Sequence, residues 1–137
     1  MKNVKNILSI CFLFTISFVS LGCGGSGGGD QPELGTVTGT VSLDGQPLSG
    51  VIILFTPEEG RQSTAVTDEN GGYELGYTGD SKGAKIGKHT VGFINSDDDS
   101  IKASAPIPPQ YTVGADTGLT EVVKAGKNRF DFDLISK

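Results

Sequence analysis

The chain has 137 residues, with 16 acidic side chains against 11 basic ones and a formal net charge of −5. That balance excludes the basic footprint nucleic-acid binding requires, and one domain is all the length supports. With no tryptophan and few aromatic residues, a core must be built from Val, Ile, Leu and Phe.

The first 22 residues read as a leader. Lys2 and Lys5 give a positive start, the apolar stretch ILSICFLFTISFV runs from Ile7 to Val19, and small residues lead to Gly22. This is the order of a secretory signal, and the stretch is too short for the roughly 20 apolar residues of a spanning helix. It has no amphipathic stripe and no helix partner downstream, which argues against a buried core helix. SLGC (Ser20–Cys23) resembles the lipobox of bacterial lipoproteins, matching at Leu21, Gly22 and Cys23. Ser20 stands where that pattern usually has leucine. The resemblance implies that Cys23 is acylated on sulfur and becomes the mature N-terminus, so the chain is anchored without spanning. One acyl chain holds only marginally, at about 0.8 kcal/mol per buried CH₂, so stable anchoring takes two or more. The competing reading is an ordinary signal with an incidental cysteine. Disulfide pairing is excluded, because the second cysteine, Cys11, leaves with the leader; a lone free thiol would then be a liability in an oxidising compartment.

Residues 23–33 are expected to form the acylated cysteine and a tether. Five glycines lie among Gly24–Gly29, and Pro32 stiffens the end. About ten such residues reach roughly 17–19 Å on average. Removal of residues 1–22 takes away Lys2 and Lys5 and no acidic residue, which moves the net charge from −5 to about −7, and this argues against adhesion to anionic headgroups.

Residues 34–137 are read as one all-β domain, because period-two alternation dominates and no helical stripe of useful length is present. GTVTGTVSL puts Val37, Gly39, Val41 and Leu43 on one face and Thr36, Thr38, Thr40 and Ser42 on the other. Asp44-Gly45 and Pro47 mark a turn. VIILFTP (Val51–Pro57) is apolar on both faces and reads as a central strand. QSTAVTD, YELGY and KHTVGFI are the next three strands, the last from Lys88 to Ile94. NSDDDSIKASAPIPPQY is expected to be a long surface excursion. LTEVVKAG and NRFDFDLI are read as a hairpin around Ala125-Gly126-Lys127, with Phe130, Phe132 and Leu134 inward. Seven strands at this spacing predict an antiparallel β-sandwich.

The turn residues Asp44-Gly45-Gln46-Pro47-Leu48-Ser49-Gly50 and Thr67-Asp68-Glu69-Asn70-Gly71, with Gly39-Thr40-Val41 before them and Tyr73 after, resemble the carboxypeptidase regulatory-like, prealbumin-type β-sandwich. The resemblance covers roughly residues 35–134 and rests on turn chemistry, so it speaks for fold and is nearly silent on activity. Small bacterial lipoproteins with one such domain are what the whole chain resembles.

Catalytic chemistry finds little support. His89, the only histidine, is in register with Val91 and Phe93, which favours a tucked, hydrogen-bonded imidazole over a ligand or base. With no second histidine and no mature thiol beyond Cys23, a zinc site of His/Cys type is excluded. Gly24–Gly28 matches G-x-S-x-G without the strand–turn–helix setting that gives the motif meaning. Calcium needs six to eight spaced oxygens; Asp68–Gly71 is only a fragment of such a loop and Asp97–Asp99 are adjacent, so solvated loop tips are the favoured reading and no metal site is expected, with the triple aspartate the better exception of the two. Asn128, Asp131 and Asp133 could accept a cross-link from a first-strand lysine, but Thr36–Leu43 contains none. The excursion Ala105–Thr112 offers Pro108, Pro109 and Tyr111 as a candidate stiff contact loop, but the favoured reading is that Ile107 and Tyr111 seal one end of the sandwich.

The expected protein is a lipid-anchored, non-catalytic envelope module for protein or polysaccharide interaction or envelope structure. It is not an enzyme and uses no cofactor. It meets the membrane through Cys23, its domain is monomeric, and the absence of an aspartate at Gly24 tilts it towards the outer membrane. The alternative is a small-molecule carrier or processing protein of the prealbumin type acting as an oligomer, with His89 lining a channel.

Overall fold

A computed structural model describes residues 31–137. The protein is all-β over these residues, with two sheets packed face to face. The threonine/apolar alternation forms β1 (Leu34–Leu43), whose pleat buries Val37, Val41 and Leu43 and turns the hydroxyl residues outward. Along one side β1 pairs antiparallel with β8 (Ala84–Lys85), β5 (Gly72–Glu74) and β2 (Gln46–Pro47) in succession. Along the other it pairs in parallel with β11 (Gly126–Arg129) and β12 (Phe132–Leu134).

The second sheet runs in the order β10 (Thr120–Val123), β9 (Gly87–Asn95), β3 (Val51–Pro57), β4 (Ser63–Val66), β6 (Gly76–Thr78), β7 (Ser81–Lys82), antiparallel throughout. All seven expected strands are present. Two of them are split, into β5 and β6 and into β11 and β12, and the short β2, β7 and β8 bring the number to twelve.

The core lies between the sheets. Phe132 from the β1 sheet wedges between Phe55 and Phe93 of the other, with ring centroids 6.2 and 6.1 Å apart and near edge-on angles of 74° and 79°, the arrangement the ring quadrupole favours. Phe55, Phe93, Ile53 and Val91 are fully buried. Gly39, at an inward position of β1, is required by a close approach: a Cβ there would stand 1.8 Å from the Phe130 carbonyl oxygen. Tyr73 occupies that region, its hydroxyl donating to the Phe130 carbonyl at 2.6 Å.

One local expectation is corrected. Ala125-Gly126-Lys127 is not a hairpin: β10 pairs with β9 and β11 with β1, so Lys124–Gly126 carries the chain from one sheet to the other. Gly126 has φ 93°. Asn128 closes the crossing, with Nδ2 donating to the Lys124 and Thr36 carbonyls at 2.8 and 3.1 Å and Oδ1 accepting from the Lys124 amide at 3.0 Å. Phe130 is only half-buried, whereas Phe132 and Leu134 are in the core.

The two ends of the sandwich differ. The chain arrives at the end where β1 and β9 begin, with the Ile86 amide donating to the Glu33 carbonyl and Gln31 Nε2 to Ser81 Oγ at 3.1 Å. The other end gathers the turns at Asp44 and Asp68–Gly71, the loop after Asn95 and the C-terminus, whose Ser136 amide donates to Asp44 Oδ1 at 2.9 Å.

Candidate interaction site

Cys23 and Gly24–Asp30 lie outside the described residues. The excursion is described, and it is bound to its own domain. Pro109–Tyr111 forms one 3-10 turn, Pro108 and Ile107 are buried, and Tyr111 is half-buried against the core. Gln110 Nε2 donates to the Ile135 carbonyl at 3.1 Å, the Ile135 amide to Tyr111 Oη at 3.4 Å, and Thr112 Oγ1 to the Pro109 carbonyl at 2.8 Å. Of the three expected contact residues, Pro109 alone is exposed.

His89 is 1% exposed. Its Nε2 lies 2.7 Å from the Lys85 carbonyl, which fixes the proton on Nε2. Nδ1 is left buried without a partner, with the Phe55 ring centroid 5.7 Å away. The imidazole is part of the packing under a hollow of about 170 Å³ bordered by Thr56, Pro57, Glu58 and Lys88.

The carboxylates hold turns and strands together. Asp98 Oδ1 accepts from the Ser100 hydroxyl and amide at 2.6 and 2.9 Å, which keeps its carboxyl below the usual range. Asp68 Oδ1 binds the Asn70 and Gly72 amides at 2.9 and 2.8 Å, an Asx turn that closes the 68–72 corner. Among the described residues no group of three or more His, Cys, Asp or Glu is placed to hold a metal ion. Asp131 stands at the break between β11 and β12 and accepts from Thr40 amide and hydroxyl at 2.9 and 3.1 Å and from Arg129 Nε at 3.3 Å. Desolvation pushes the Asp131 carboxyl up, but these hydrogen bonds and the guanidinium outweigh it, and the net direction is down. Asp133 takes the Ser42 hydroxyl at 2.7 Å. Burial, then the Asp131 and Glu121 charges, raise the Tyr73 phenol above its ordinary value.

The outer face of the β3–β9 sheet has no such partners among the described residues. Its register stacks outward residues in rows across three strands: Val66–Ile52–Ile94, then Thr64–Leu54–Gly92, then Thr56–Thr90 with Thr120 beyond. None of these carries a charge, and Lys88, opposite Val122, marks the rim. Val66 is 45% and Ile94 37% exposed, a ridge of branched aliphatic groups open to solvent. Beside it Val113, 48% exposed, stands over Gly92, where a Cβ would come within 3.0 Å of its Cγ2. An apolar hollow of about 200 Å³ lies next to Val113, bordered by Thr56, Thr90, Ala115 and Thr117. The sequence carries a trace of this face in Val51–Pro57, apolar at outward as well as inward positions.

No family model, curated protein or solved structure matches the chain.

Proposed function

We propose that the protein is a lipid-anchored, non-catalytic module of the bacterial cell envelope, with a prealbumin-type, carboxypeptidase regulatory-like β-sandwich as its binding part. Residues 1–22 direct export, Cys23 carries the lipid, and residues 24–33 are the spacer. The observation that carries this reading is the polarity of the sandwich: the chain enters at one end, through Gln31–Leu34, while the excursion, the aspartate loops and the C-terminus gather at the other. A domain tethered in this way points its far-end loops away from the bilayer and turns both outer sheet faces to the side. The only histidine is engaged by a backbone carbonyl within the packing, which speaks for binding rather than catalysis.

Protein is the favoured kind of partner. Polysaccharide recognition on a flat face draws on exposed, rigid aromatic rings, and Tyr73, Tyr77 and Tyr111 are each buried or half-buried. The test is fractionation of the full chain and its Cys23→Ala variant after expression in a bacterial envelope. The wild-type chain is expected in the outer-membrane fraction and the variant in the soluble fraction; equal distribution of the two would overturn the anchor.

A further inference from the structure

We propose that Lys88, Lys124 and Lys127, at the sandwich end where the tether arrives, form a corner that rests on anionic phospholipid headgroups of the membrane holding the anchor. The inference rests on the reading as an anchored module and deepens it, because it sets how the domain stands on its bilayer.

Topology brings the three lysines to one corner. Lys88 is the second residue of β9 and pairs with Val122 on β10. Lys124 follows directly on β10, and Lys127 is the second residue of β11, opposite Thr36 near the start of β1. All three are exposed. The ion pairs among the described residues, Lys82–Glu74 and Arg129–Asp131, include none of them. Val122, 53% exposed, puts a branched aliphatic group beside Lys88, and apolar area next to basic groups suits the headgroup boundary. The carboxylates of this end stand on other turns. Glu58 and Glu59 follow β3, and Asp80 joins β6 to β7 at the sheet edge opposite β10. Arg61 shares the first of these turns, and Lys85 Nζ donates to the Glu59 carbonyl there at 2.9 Å.

Net acidity argues against adhesion of the chain as a whole, but the acidic charge is gathered elsewhere. Asp44, Asp68, Glu69 and Asp97–Asp99 lie at the far end, with Lys102 and Lys137 as the basic residues there. The 10 residues of β1 set the two ends about 33 Å apart. Exposed charges are screened over about 8 Å at physiological salt. A bilayer at the tether end therefore meets the lysines and not the far-end aspartates. A Gly-rich spacer of the length between Cys23 and Gln31 averages about 15 Å, which keeps the corner in reach of headgroups and the aspartate loops out of it. Each lysine close to an anionic surface strengthens the contact about fivefold.

The experiment takes the full chain extracted from its membrane and reconstitutes it in vesicles of phosphatidylcholine, alone or mixed with phosphatidylglycerol. A fluorescent thiol probe is placed at Ala125→Cys in the lysine corner, and separately at Gln46→Cys at the far end, both exposed positions. Nitroxide-bearing headgroups act as the quencher. The proposal expects quenching at position 125 to rise about twofold or more with phosphatidylglycerol and to fall back in high salt. Position 46 should stay unchanged. Lys88→Gln, Lys124→Gln and Lys127→Gln together should abolish the rise. Quenching at 125 that ignores phosphatidylglycerol, an equal rise at 46, or a rise that survives the triple change would each overturn it. Flotation separates the two failures. A chain that floats with phosphatidylcholine vesicles but shows no lipid-dependent rise sinks the lysine corner and leaves the anchor standing. One that does not float with them has no anchor, and both readings fall.

Discussion

The outer face of the β1 sheet and the outer face of the β3–β9 sheet are both rich in threonine, yet the chain completes only one of them. On the β1 sheet, Thr40 and Ser42 are bound by Asp131 and Asp133 from the neighbouring C-terminal strand. The charges of Asp131, Asp133 and Arg129 also guard that edge against pairing with another strand. On the β3–β9 sheet the cover among the described residues is the loop at Val113, which stands over Gly92, and Leu54 in the middle of the face is buried at 4% exposure. A strand that is apolar at both inward and outward positions normally has both faces covered. Here the second cover is only partial among the described residues, and Val66 and Ile94 remain 45% and 37% exposed.

Four substitutions sharpen this contrast. Gly39→Ala strikes the completed side hardest, because its methyl would fall 1.8 Å from the Phe130 carbonyl oxygen and push β1 away from the C-terminal strand. Urea unfolding is expected to show a loss of about 3 kcal/mol; a loss under about 1 kcal/mol would mean that the carbonyl yields. Tyr73→Phe removes the donor to that same carbonyl and leaves the ring packed. Its expected cost is about 1 kcal/mol, and an unchanged midpoint would show that water replaces the hydroxyl.

Asp131→Asn tests the polar side by pH. The folded-state carboxyl of Asp131 is held below its ordinary value, so its contribution is present above the unfolded value near 3.9 and is lost as pH falls through the lower folded value. The wild-type chain should therefore lose stability on acidification below about pH 4 more steeply than the variant. Parallel curves would remove Asp131 from the acid response. The smallest effect on stability belongs to the open face. Ile94→Lys should change the unfolding free energy by no more than about 0.5 kcal/mol, since Ile94 is already 37% exposed. A large loss would mean that the face is part of the monomer's own packing.

Much of the fold was legible because local chemistry and global topology agree. The alternation of residues 36–43 and the Asp44-Gly45 turn, with φ of 51° and 84°, each specify one local conformation, and the central placement of Val51–Pro57 followed from its composition. The C-terminal strand was misread at its turn. A glycine-marked reversal between two β-rich runs looks the same in sequence whether the strands pair or part. Gly35, where a Cβ would meet the Lys124 carbonyl at 2.1 Å, and the hydrogen bond from Asn128 to the Thr36 carbonyl reveal the crossing, and both act over long sequence separations. Gly39 carried a readable warning, since glycine inside a strand marks a close backbone approach. Among the site residues, the proline and tyrosine content of the excursion suits a contact loop as well as a seal, and the burial of Ile107 and Pro108 favours the seal. The open face was hidden for the opposite reason: it is formed by register across three strands, which no single stretch of sequence displays.

The anchored module stands or falls on the N-terminus of the mature chain. Intact-mass analysis of the protein extracted from its own membrane should give a chain that begins at Cys23 and carries a diacylglyceryl group. A chain that begins elsewhere, or one with a free thiol at Cys23, would contradict the account.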